Sequence, residues 1–170
     1  IEYHNLYNYI RGGNDFDLPV QQADIAEAAE YNINTGSLNY SILSKNNKHH
    51  FNVFSSAQLL NRTNYAGAQQ DLNGFGKTDG KTFVTGGQYT YSMDKLLFMP
   101  AILTTGAEYN FDDLHDLIQG YNRTTDQSIN ITSVYLQNEW KNKKLSILLG
   151  GRFDKHSLIK CPIQIGRAHV

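Results

Sequence analysis

The connections between the strand-like runs of this chain alternate in length, long and then short, from one end of the sequence to the other. Alternating apolar and polar residues, with β-rich composition, predict strands near 1–10, 28–44, 49–63, 81–93, 100–111, 127–140 and 144–157. The connections over 11–27, 64–80 and 112–126 are long, whereas those over 45–48, 94–99 and 141–143 are short. Successive antiparallel strands turn at opposite ends of a sheet, so all the short turns fall at one end and all the long loops at the other. The stretch 120–154 holds one full unit of this pattern. It runs from Gly120-Tyr121-Asn122-Arg123 through Tyr135-Leu136-Gln137-Asn138-Glu139-Trp140, turns at Lys141-Asn142-Lys143 and returns to Gly150-Gly151-Arg152-Phe153-Asp154.

Soluble up-and-down barrels have short connections at both ends, whereas membrane-spanning barrels combine short turns on one side with long loops on the other. The expected fold is therefore all-β, an antiparallel transmembrane β-barrel segment of about seven strands. Lys45-Asn46-Asn47-Lys48, Asp94-Lys95 and Lys141-Asn142-Lys143 form its periplasmic turns. Alternation supports one apolar face. Leu145, Ile147, Leu149 and Phe153 oppose Ser146, Gly150, Arg152 and Asp154, with Leu148 the exception, while Phe51, Val53, Ala57 and Leu59 oppose Asn52, Ser56, Gln58 and Arg62. Between 128 and 140 the phase slips, because Ile129 and Ile131 are odd while Val134, Leu136 and Trp140 are even, and a bulge near Ser133 would reconcile them. Tyr89, Tyr91, Phe98, Phe111 and Trp140 lie near strand ends, as an aromatic girdle requires. The same alternation would also suit a soluble sandwich with the aromatics in its core. The one-sided loop lengths argue against that.

Composition agrees with β structure and closes several other routes. Eleven Tyr and eight Phe favour a pleated, half-exposed surface, and a net charge of −1 gives no basic footprint for nucleic acid. A single Cys permits no intrachain disulfide and no Cys-rich metal framework. No run of 18 apolar residues occurs, which excludes a transmembrane helix but not a transmembrane strand.

Gly76-Lys77-Thr78 and Gly80-Lys81-Thr82 end like a phosphate loop, but its first glycine would stand where Asp71 and Phe75 are, so the motif fails. A flexible loop tip accounts for Gly74, Gly76 and Gly80. Asp112, Asp113, His115 and Asp116 cluster in one expected loop, and Asp15, Asp17 and Asp24 in another, without the spacing of a calcium loop. His49 and His50 point to opposite faces of a strand and do not share a metal. Arg152 and Asp154 share the polar face, with Glu139 as the expected cross-strand partner. Gln21 to Glu30 is rich in Ala and allows a helical turn in the first loop. No catalytic constellation, cofactor site or metal site emerges, and the chain is not expected to be an enzyme.

With strands and loops placed, five segments become recognisable in order: Gly106-Ala107-Glu108-Tyr109, Asp112-Asp113-Leu114-His115-Asp116, Gly120-Tyr121-Asn122-Arg123, Tyr135-Leu136-Gln137-Asn138-Glu139-Trp140 and Gly150-Gly151-Arg152-Phe153-Asp154-Lys155-His156. Together they resemble the barrel of TonB-dependent outer-membrane receptors. The siderophore and cobalamin branch of Bacteroides-like bacteria is the nearest in look, with Phe98-Met99-Pro100-Ala101, Asn64-Tyr65-Ala66-Gly67 and Gly74-Phe75-Gly76-Lys77-Thr78 adding to the likeness. The resemblance covers about 1–163. It implies a barrel of about 22 strands with a plugged lumen, embedded in outer-membrane lipid of a Gram-negative bacterium. It also implies import of a ferric siderophore or cobalamin, driven by the TonB–ExbB–ExbD system through an N-terminal plug that this sequence does not include. The residues expected to contact substrate from the long loops are Tyr65, Gln69, Gln70, Asp112, Asp113, Tyr121 and Arg123. The alternative is a structural or adhesive surface β-protein without transport. The N-terminus, which starts mid-strand without Met, is expected to be truncated. Residues 164–170 resemble one reading frame of a common sequencing adapter and are expected to be a non-native tail.

Overall fold

A computed structural model describes residues 1–158 and the backbone of 164–167. Eight strands follow in order: β1 (Glu2–Gly13), β2 (Ile25–Leu43), β3 (His49–Ala68), β4 (Phe75–Leu96), β5 (Met99–Ile118), β6 (Arg123–Lys141), β7 (Ser146–His156) and β8 (Gln164–Arg167). Each lies beside its sequence neighbour in one sheet, ordered β1 to β8 without a crossover. No helix among the described residues is long and apolar enough to cross a membrane, and a strand-built wall needs none.

The short turns are chemically specified. Asn47 takes a left-handed conformation at φ 56°, and the Ser44 carbonyl accepts its N–H at 2.9 Å. At the third turn, Asn142 Oδ1 accepts the N–H groups of Lys144 and Leu145 at 2.8 and 2.9 Å. The second turn differs from expectation. β4 runs through Asp94 and Lys95, and the chain reverses at Leu97, whose φ is 62°, and Phe98.

The long connections also shrink. β2 to β6 are 19 to 22 residues each, so the second and third loops reduce to 69–74 and 119–122. Apolar alternation stops where the strands leave the hydrocarbon, but the backbone ladder needs no apolar side chains to continue. The helical turn expected over Gln21 to Glu30 is confined to a 3-10 turn at Val20–Gln22, and Ile25 onward is strand. Alanine is used there for its small size, as Ala23 and Ala26 are buried.

The chain divides into two compact units. The turn-end unit comprises Ser37–Ser56, Val84–Phe111 and Ile129–Val170. Its strand segments suit a membrane crossing, which takes about 9–11 residues of tilted strand; β7 has 11. One face carries Tyr40, Ile42, Phe51, Val53, Val134, Leu136, Leu149 and Phe153, all roughly half exposed or more. The other carries a hydrogen-bonded polar layer. Asn52 donates to Asn39 at 2.7 Å, Tyr135 donates to Gln88 at 2.8 Å, and Arg152 donates to Ser133 at 2.8 Å. Among the described residues the only buried hydrophobic side chains are Ala23, Ala26, Tyr65, Met99 and Ala101. A soluble sandwich would bury the apolar face that is open here.

Aromatic residues collect at the turn end of that face. His49 stacks on Tyr91 at 4.7 Å and Phe51 on Tyr89 at 4.5 Å, while Phe98 lies parallel to Trp140 at 6.1 Å. Trp140 donates its indole N–H to the Leu96 carbonyl at 3.1 Å, the amphipathic arrangement a membrane interface rewards.

The β6–β7 register runs unbroken from Ile131↔His156 to Lys141↔Ser146. The bulge expected near Ser133 is therefore not present against β7. Ile131 sits in phase with Ser133 and Tyr135 on the polar face. Arg152 meets Asp154 at 2.7 Å and Glu108 at 3.7 Å. Glu139, the expected partner, pairs with Leu148 and accepts from Ser146 instead. β8 pairs antiparallel with β7 from Leu149↔Arg167 to Arg152↔Gln164. That ladder uses backbone groups alone and would form for a native or a foreign segment. Residues 159–163 and 168–170 lie outside the described residues.

Candidate functional site

The loop-end unit comprises Ile1–Gly36, Ala57–Phe83 and Asp112–Ser128, and it holds all seven sequence-predicted contact residues. Tyr65 is 2% exposed, packed against Ala23 and Ala26, with Phe75 at 4.8 Å between ring centres. Glycine makes this seat: a Cβ at Gly67 would come within 2.5 Å of the Tyr65 hydroxyl, and one at Gly74 within 2.8 Å of its ring. Gly76 does the same for Asn64, whose Oδ1 would lie 2.8 Å from an added Cβ. These glycines are close-approach positions rather than a flexible tip. Tyr65 thus serves as a structural anchor with little of its side chain exposed.

Gln69 and Gln70 form the turn after β3, both left-handed at φ 56° and 63°, and the Gln69 N–H donates to the Asp24 carbonyl at 2.7 Å. Two successive non-glycine residues in this region store strain that other contacts must offset. Tyr121 is 83% exposed at the end of the 3-10 turn Gln119–Tyr121, and Arg123 opens β6. Asp71 caps the neighbouring turn Leu72–Gly74 by accepting the Asn73 N–H.

Asp112 and Asp113 are strand residues of β5, not loop residues. Strand alternation divides the acidic cluster between two faces. Asp112 accepts from Thr82 at 2.7 Å and Asp116 from Thr78 at 2.6 Å, whereas His115 pairs with Asp126. Among the described residues no group of three metal-ligating side chains exists.

Four polar residues that the sequence did not mark as contact residues converge elsewhere in this unit. Glu27, Tyr31, Arg62 and Asn64 line a cavity of about 440 Å³ with Ile10 and Gly12. Arg62 reaches Asn64 Oδ1 at 3.4 Å. Alternation placed Arg62 on the polar face, but nothing in the spacing signalled that β1, β2 and β3 bring these groups together.

The arrangement can bind a polar solute and offers no nucleophile beside a base. No curated protein and no solved structure matches the chain. The family model described as "TonB dependent receptor-like, beta-barrel" matches residues 2–159, nearly the whole sequence. With its exposed apolar face, hydrogen-bonded polar face and aromatic belt at the turn end, the chain belongs to the β-barrel family of TonB-dependent receptors, outer-membrane transporters of Gram-negative bacteria.

Proposed function

We propose that this chain is a wall segment of a receptor that binds and imports a metal chelate, a ferric siderophore or cobalamin, with energy from the TonB–ExbB–ExbD system. The observation that carries this reading is the concentration of exposed amide, aromatic and charged groups at the loop end. Gln69, Gln70, Asp112, Tyr121 and Arg123 stand exposed there, with Asp113 half-buried beside them. Aromatic faces and amides suit a large, rigid ligand, because they give contact area at small cost in side-chain entropy. Tyr65 contributes by holding the β3–β4 end in place. The adhesive alternative has no observation in its favour.

The test is uptake. Deleting the parent gene should abolish cellular accumulation of one radiolabelled ferric siderophore or of cobalamin, and plasmid-borne wild type should restore it. Unchanged uptake of every chelate in a broad panel would refute the import of a metal chelate.

A further inference from the structure

Charge is unevenly placed along this chain. The three short turns, 45–48, 94–98 and 141–145, hold six of its 15 lysines and arginines and one of its 16 acidic residues. A chain of net charge −1 therefore carries a net +5 on these 14 residues. The turns also form one ledge. Lys48 donates to Asp94 at 2.5 Å, which ties the first turn to the second. Trp140 donates to the Leu96 carbonyl at 3.1 Å and Asn142 to Met99 Sδ at 2.8 Å, which ties the second to the third.

Compensation follows the face. Lys48, in phase with Asn52 on the polar face, has Asp94, and Lys141, in phase with Tyr135 on that face, has Glu139 at 3.8 Å. The other four, Lys45, Lys95, Lys143 and Lys144, are exposed and, among the described residues, have no carboxylate within 4 Å. Lys95 continues β4 in phase with Tyr89 and Tyr91 on the apolar face, and the remaining three stand in the turns themselves. Aromatic rings of a barrel's belt sit at headgroup level. A lysine just beyond them can lay its stem on the apolar surface and hold its ammonium among the phosphates.

We propose that the turn ledge is a docking surface for anionic phospholipid headgroups of the periplasmic leaflet, of which phosphatidylglycerol is the simplest. Its phosphate meets the uncompensated lysines with no cation of its own to oppose them, whereas phosphatidylcholine brings one. The ledge belongs to β2 through β7, each of which has a strand on both sides, and it continues the apolar face that meets hydrocarbon. The proposal rests on that face lying in lipid and takes nothing from the import of a chelate.

The experiment is fluorescence quenching in the full-length receptor reconstituted in vesicles. A fluorophore is attached through Leu97→Cys in a Cys161→Ser background, because Leu97 is 76% exposed at the reversal of the second turn. The quenchers are phosphatidylglycerol and phosphatidylcholine carrying the same doxyl-labelled acyl chain. Phosphatidylglycerol should reach half-maximal quenching at a mole fraction roughly fivefold lower, the effect of one lysine at an anionic surface. The quadruple variant Lys45→Gln, Lys95→Gln, Lys143→Gln, Lys144→Gln should remove that preference, as should about 0.5 M salt. Lys77→Gln with Lys81→Gln, at the loop end, should keep it. Equal quenching by the two lipids in the wild type, or an undiminished preference in the quadruple variant, would overturn the docking surface. Equal quenching, with retention of the wild type but not of the quadruple variant on peptidoglycan sacculi, would overturn it in favour of the cell wall. Loss of uptake in cells with the lipid preference intact removes the import reading alone.

Discussion

Gly151→Arg separates a membrane-facing sheet from a water-facing one by the sign of its effect. Gly151 lies across from Leu136 and in phase with Leu149 and Phe153, which are 54%, 62% and 48% exposed. No atom lies within 4 Å of an added Cβ, so substitution creates no clash and removes no packing. β7 leaves the turn at Ser146, and charge returns to this face at Lys155. A tilted strand advances about 2.3 Å per residue along the membrane normal, which places Gly151 about 12 Å into an apolar band about 25 Å tall.

Arginine at that depth costs about 2–4 kcal/mol on a barrel's lipid face. Replacing a strand glycine returns about 0.5–1 kcal/mol in either solvent. The net expectation is a loss of about 1–3.5 kcal/mol in a bilayer, against a gain of up to about 1 kcal/mol if this face were in water. The assay is urea unfolding of the full-length receptor in phospholipid vesicles, followed by tryptophan fluorescence. Gly151→Leu is the companion variant and should stabilise. An unchanged or raised stability for Gly151→Arg would refute the placement of this face in lipid.

Gly106→Ala should cost about 1–3 kcal/mol, because its Cβ would stand 2.5 Å from the Tyr135 ring and 2.7 Å from the Gly87 carbonyl oxygen. The double variant with Tyr135→Ala relieves only the first of these, so incomplete rescue in thermal unfolding is the expected reading. Asn142→Ala should lose about 1–2 kcal/mol, the net worth of two hydrogen bonds, by removing the acceptor of the Lys144 and Leu145 N–H groups, whereas Asn142→Asp keeps both acceptor bonds; equal stabilities would show that the turn does not depend on them. The hydrogen bond that Lys48 donates to Asp94, and then the Asp94 charge, hold the Lys48 ammonium above its usual range. A raised folded value contributes stability below the unfolded value of 10.5 and loses it as pH rises through the folded one. The stability difference between wild type and Asp94→Asn should therefore be flat from roughly pH 6 to 9 and should shrink only in strong alkali.

The turn-end unit was legible in the sequence because membrane burial imposes a period. Phe51, Val53, Leu149 and Phe153 alternate with polar residues for the physical reason that one face meets hydrocarbon and the other does not. The bulge expected near Ser133, absent from the β6–β7 ladder, shows where that reasoning ends. Ile131 is an apolar residue on the polar side, and a pattern read only by hydrophobicity takes it for a change of phase. The turn misplaced to Asp94-Lys95 has a related cause, since Leu97 and Phe98 are apolar yet occupy the reversal itself, where composition predicts polar residues.

At the loop end the period disappears while the strands continue, so alternation could not find where they stop. Asp112 and Asp113 look like a carboxylate cluster only when the chain there is taken as a loop. Once they stand on a strand, their side chains point apart, and Asp112 belongs with Thr82 while its neighbour does not. Glycine was misread for the same reason. Gly67, Gly74 and Gly76 punctuate a sequence like loop residues, yet each leaves room for a side chain from β3, Tyr65 or Asn64. That exchange of side-chain volume between strands has no signature in the order of residues along one strand. It fixes the orientation of Asn64, and through Asn64 that of Arg62. The placement of Asn64 and Tyr65 at this end is therefore set by packing across β3 and β4, which the spacing of glycines along one strand does not display.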